Sequence, residues 1–161
     1  MINEYLTDTS VELNDAAVHL LFSANRWEKS ALMEDKLKQG VTLVVDRYSY
    51  SGVSFTAAKQ IPGLDLAWLK APEKGLLRPD AVFYLQIPVE TASQRGGYGE
   101  ERYEKVDLQQ KVASNFIALQ DDTWQMIDAT RSIAEVQEEV QMHAKEVIKK
   151  CEGGAAFTHL W

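Results

Sequence analysis

The segment VTLVVDRYSYSG, residues 41 to 52, sets an acid and a base, Asp46 and Arg47, between an apolar run and a turn of small residues. An arginine so placed can grip a phosphate through two parallel hydrogen bonds, and an aspartate can orient a hydrated Mg2+ or a substrate proton. Ser49, Tyr50, Ser51 and Gly52 then offer backbone N–H donors at a helix start, which also suits an anion. Taken alone, the dipeptide reads equally well as an ion pair at the end of a strand.

Two other groups of residues could do chemistry. Phe22 and Arg26 share one helix face, so a ring plane and a guanidinium fork stand together as they would to hold a flat base. Spacing alone more often means a core phenylalanine beside a solvated arginine. The run Arg95-Gly96-Gly97-Tyr98-Gly99-Glu100-Glu101-Arg102-Tyr103-Glu104 brackets three glycines with two arginines. Such a loop can close, exclude water and carry cations to a phosphoryl group, or it can be a solvated surface loop. His19 reads as a packing or capping histidine, and His143 and His159 lack a neighbour at metal-ligand spacing. Cys151 is the only cysteine, which rules out a disulfide within the chain and a cysteine-based metal cage.

The elements that must position these residues follow from patterning. Apolar, β-rich runs at 41–45, 81–87 and 124–127, the last closed by Asp128, read as strands covered on both faces, as in a parallel sheet. Helical patterns lie between them, which gives an α/β class. The first covers Asp15 to Trp27, and Glu28 to Lys38 continues it as a second helix ending at Gly40; another runs from the Asp46-Arg47 turn to about Lys59. Pro62 and Gly63 break the chain before a short helix at 64–69, and Leu77 to Asp80 form a turn into the second strand. A helix over 104–120 presents Val112, Phe116 and Leu119 to the sheet. Ser132 and Glu135 form a capping box that opens a final helix with Ile133, Val136, Val140 and Val147 as its buried stripe. The glycines at 153 and 154 mark 153–161 as a flexible C-terminal tail beyond a single domain of 1–152.

With 161 residues, 45% of them hydrophobic, the composition is that of one soluble domain with an adequate core. A formal charge of −7 argues against nucleic acid or an anionic membrane as partner and leaves a small molecule as the expectation. No stretch is apolar enough for a membrane span.

VHLLFSANRWE (18–28), GVTLVVDRYSYSGVSFTAAK (40–59), the Arg78-Pro79-Asp80 turn and the RGGYGEERYE loop (95–104) together resemble thymidylate kinase, with a eukaryotic flavour, in order along the whole chain. The resemblance implies a P-loop-kinase-like parallel sheet with helices on both faces, and transfer of the ATP γ-phosphoryl group to dTMP with Mg2+. By the same resemblance Phe22 stacks on thymine and Arg26 bonds its edge. Arg47 contacts the dTMP phosphate, with Asp46 supporting the metal through water, the two being the catalytic pair. Ser51, Gly52 and Phe55 line the nucleoside pocket, and Tyr103 lies near the sugar. Arg95 and Arg102 belong to a lid over 95–104, and Thr130 and Arg131 border the adenine of ATP. The family also implies a homodimer paired through the first long helix, and a cytoplasmic home with nuclear or mitochondrial copies as alternatives.

The family holds ATP phosphates in a loop of the form G-x-x-x-x-G-K-[ST]. None of the nine glycines here stands in such a pattern. Aligned on the family, Met1 falls inside its second helix, so the opening strand, phosphate loop, first helix and second strand are missing from this sequence. That leaves strands 41–45 and 81–87 without the strand expected between them, and predicts an unstable, self-associating chain with impaired catalysis.

Overall fold

The computed structural model describes residues 2–7, 12–92 and 106–161. The lid loop, with Arg95, Arg102 and Tyr103, lies outside them. Helix α1 (Ile2–Thr7) precedes the long helix α2 (Asp15–Lys38). The side chain of Asn14 caps α2 by accepting the N–H groups of Ala16 and Ala17, and Gly40, at φ 77°, ends it in a conformation that favours glycine. The predicted pair of helical patterns is thus one uninterrupted helix.

Helix α3 (Ser49–Ala58), α4 (Leu66–Lys70) and a 3-10 turn over Ala71–Glu73 lead to strand β1 (Val82–Gln86). Then follow α5 (Val89–Ala92), α6 (Val106–Leu119), strand β2 (Trp124–Asp128) and α7 (Ile133–Cys151). The two strands pair in parallel from Val82 opposite Trp124 to Gln86 opposite Asp128. Alternation sends Tyr84, Trp124 and Met126 into the main core, while Ile127, fully buried, points the other way, so both faces of β2 are covered.

The expected strand at 41–45 is not a strand. The segment runs without ladder partners among the described residues, and Val44 is 96% exposed. A strand is completed by a neighbour's hydrogen bonds, and apolarity alone does not supply one. Along α7 the capping box forms, and Val136, Val140 and Val147 of the predicted stripe are half-buried, whereas Ile133 is 87% exposed and does not join them.

An aromatic chain organises the core. Tyr50 meets Trp124 and Trp161 edge-on at 5.2 and 5.6 Å; Trp124 meets Phe116 at 6.2 Å, and Phe116 meets Phe55 at 6.4 Å. Trp161 belongs to the stretch that the two glycines mark as flexible, yet the end of the chain is docked. Leu160 is buried, its N–H donates to Leu76 O at 2.8 Å, and Gly75 N–H donates to Leu160 O at 3.1 Å. Gly154, at φ 78°, turns the chain back so that apolar Leu160 reaches the core.

Candidate active site

Asp46, Arg47, Ser51, Gly52 and Phe55 of the predicted residues gather at the start of α3. Arg47 sits in the left-handed region at φ 63°, which turns the chain sharply into α3. Its Nε donates to Ser51 Oγ at 2.9 Å, and its guanidinium lies 4.6 Å over the centre of the Phe55 ring. Arg47, Ser51 and Phe55 therefore form one contact group, with the positive charge still exposed on the surface. Asp46 beside it is exposed and has no hydrogen bond among the described residues. No cluster of three metal-ligating side chains occurs among them either. A Mg2+ that keeps most of its waters and shares phosphate oxygens needs only one or two carboxylates, which Asp46 fits.

Behind this group lies an assembly that the sequence did not show. Arg26 on α2 reaches across to Glu73, donating from Nε at 2.8 Å and from Nη2 to the other carboxylate oxygen. Ser49 Oγ donates to the same carboxylate at 2.8 Å, and Glu73 is completely buried. Gly52 makes room for this: a Cβ there would stand 2.9 Å from Arg26 Nη2. The predicted base-edge donor thus has two nitrogens already engaged and keeps its Nη1 edge against α3. Glu73 has no motif of its own, stands between Lys70 and Lys74, and has its partner 47 residues away, so the local sequence does not single it out.

Tyr48, next to Arg47, has a buried hydroxyl without a partner among the described residues. Burial, and then the nearby Glu73 charge, push it up to about 12. His19 is a packing residue, as its sequence position suggested. Its Nε2 faces the Leu69 carbonyl at 2.8 Å, which can only accept, so Nε2 carries the proton and Nδ1 accepts from Thr56 Oγ1 at 3.1 Å.

Phe22 is placed elsewhere. It lines a narrow apolar cleft with Ile2, Tyr5 and Val18, where α1 lies along α2. Phe55 lines a different cavity, of about 220 Å3, with Tyr84, Leu85, Phe116 and Gln109. At the far end of β2, Thr130 donates from its N–H and hydroxyl to Asp128 Oδ1 at 2.9 and 2.6 Å, which holds that carboxyl below its usual range. Arg131 pairs with Glu139 and donates from Nε to the Asp128 carbonyl at 3.1 Å. Cys151 is half-buried and burial pushes its thiol up, in keeping with an inert residue.

The thymidylate kinase family profile matches residues 1–140. The chain is 53% identical to thymidylate kinase of Arabidopsis thaliana over 161 residues, covering all of this chain and 60% of that protein. It is 45% identical to human thymidylate kinase over 152 residues, or 92% of this chain and 70% of the human one. The solved thymidylate kinase of Candida albicans is similar in structure with a TM-score of 0.83 and 36% identity, covering 99% of this chain and 79% of that one. The identity, the fold and the turn from Arg47 to Phe55 lead to the same place: this chain belongs to the thymidylate kinase family.

Proposed function

We propose that this chain binds dTMP and contributes to transfer of the γ-phosphoryl group of ATP to it, giving dTDP and ADP. A dTMP phosphate oxygen forms the new bond to the γ-phosphorus as the bond to the β,γ-bridging oxygen breaks. Supporting this is one observation above the rest, the contact group of Arg47, Ser51 and Phe55, which sets an exposed cation at a helix start over an aromatic wall. Arg47 would hold the 5′-phosphate and Ser51 fix the guanidinium plane. Phe55 and Gly52 would border the nucleoside, with Arg26 at the base edge and Tyr103 near the sugar, while Phe22, in the α1–α2 cleft, takes no part in that wall. Arg95 and Arg102 would close over the phosphates, Thr130 and Arg131 would border adenine, and Asp46 would hold Mg2+ through water. That ion, when bound, neutralises phosphate charge.

Leu20, Trp27 and Leu32, all exposed on α2, support pairing of two copies along that helix. Among the described residues no helix is long and apolar enough to cross a membrane. A cytoplasmic, and alternatively nuclear or mitochondrial, home goes with the proposal.

The chain spans 60% of the length of the Arabidopsis relative. The contact group of Arg47, Ser51 and Phe55 also fits a second reading, a non-catalytic module that binds dTMP or pairs with an intact subunit. Titration with dTMP and a coupled ATP-consumption assay on the purified chain separate the two. Saturable dTMP binding that Arg47→Ala weakens at least tenfold supports the site. Turnover above background selects the kinase and its absence the module, while failure to bind dTMP sinks both.

A further inference from the structure

We infer that Glu73, supported by Ser49, is a positioning residue that holds the Arg26 guanidinium rigid so that its remaining Nη1 edge discriminates the base of a pyrimidine nucleotide. The inference rests on the dTMP reading above and names what gives that site its selectivity. Four observations carry it. Arg26 spends Nε and Nη2 on the two oxygens of one carboxylate, which fixes the plane of the fork and not merely its distance. The carboxylate cannot drift, because it is fully buried and takes a further hydrogen bond from Ser49 at 2.8 Å. On the opposite side, Gly52 brings the α3 backbone against the guanidinium; a Cβ there would stand 2.9 Å from Nη2 and 3.4 Å from Nη1. Lastly, Ser49 and Gly52 share the first turns of α3 with Ser51, which holds Arg47, so one short segment registers the base-edge arginine against the phosphate arginine.

A donor held this way cannot rotate to suit a wrong partner. A base presenting an acceptor to Nη1 gains a hydrogen bond, whereas one presenting an amino group leaves a charged donor facing another donor. A keto group at the pyrimidine 4-position satisfies the fork and an amino group does not. Selectivity between dTMP and dCMP should therefore depend on Glu73, even though Glu73 itself touches neither.

The test uses the whole chain, with Glu73→Gln and Ser49→Ala. Calorimetric titration gives the affinities for dTMP and dCMP, and solvent exchange of the Arg26 Nε–H is followed by NMR. The wild type should prefer dTMP at least tenfold and show a slowly exchanging Nε–H without ligand. In Glu73→Gln that preference should shrink at least fivefold and the Nε–H should exchange at least tenfold faster, while affinity for inorganic phosphate at Arg47 stays within twofold. Ser49→Ala should move each quantity the same way by a smaller factor. It decides the matter if Glu73→Gln does not fold. Unchanged preference in a folded variant overturns the inference, as does equal exchange in variant and wild type. A wild type that binds no dTMP overturns the nucleotide reading instead; the exchange comparison then still judges whether Glu73 holds Arg26.

Discussion

Arg47 pays for its place in backbone conformation. A residue with a Cβ at φ 63° costs on the order of 1–3 kcal/mol relative to a relaxed one. Arg47→Gly should then leave thermal stability within about 1 kcal/mol of wild type, because relief of strain offsets glycine's added entropy and the lost contacts to Ser51 and Phe55. Binding of dTMP should fall at least tenfold in the same protein. A large drop in melting temperature would show that the strain reading is mistaken. His19 carries a second expectation. Burial holds its pKa below 6.5, so the native state binds fewer protons than the unfolded chain as pH falls. Its contribution is complete above 6.5 and shrinks as pH falls from there towards the lowered native value. Urea midpoints measured from pH 7.5 to 5 should decline in the wild type and flatten in His19→Gln. At this scale the sequence was legible where a partner is close in the chain. Asp46, Arg47 and Ser51 fall within one turn, but Glu73 draws its meaning from Arg26 and Ser49, which no local pattern joins to it.

Elements divide along the same line. The long helix, the helix after the Asp46-Arg47 turn and the capping box of α7 depend on neighbours within a turn or two, and all three were readable. Ser132→Ala removes the acceptor for the Glu135 N–H and the support for the reciprocal bond that the Ser132 N–H donates to the Glu135 carboxylate, so it should cost about 1 kcal/mol. The loss should appear as faster hydrogen exchange at 133–136, with dTMP affinity unchanged. Uniform acceleration over the whole of α7 would mean the box anchors more than its own turn. The run at 41–45 was misread because strandhood is a relation between segments. Val41 to Val45 have the composition of a buried strand, yet in the described structure nothing pairs with them. Of the α7 stripe, Val136, Val140 and Val147 are half-buried and Ile133, in the first turn, is exposed, since a periodic apolar face is buried only as far as an opposing surface reaches.

For the whole molecule, the apolar residues left in solvent are the dominant fact. Val41, Val44, Val45, Leu85 and Ile133 are all exposed, and β1 has a ladder partner on one side only among the described residues. Exposed β-rich segments with unpaired backbone groups seek other chains. Sedimentation velocity should show association that grows with concentration, and Val44→Lys should reduce it, because a charge on an open edge disfavours pairing. A monodisperse monomer with one cooperative thermal transition would refute this. Family membership was legible from four motifs spread along the chain, whereas the state of the free surface was not, being a property of what else is present. The aromatic chain has a last, optical consequence. Trp124 is 7% exposed and stands one ring away from Phe116, which touches Phe55 beneath Arg47, whereas Trp27 is 44% exposed. Under ultraviolet excitation these two of the four tryptophans should emit at different wavelengths and answer differently to a dissolved quencher, the buried one joined through Phe116 to the Phe55 ring beneath Arg47.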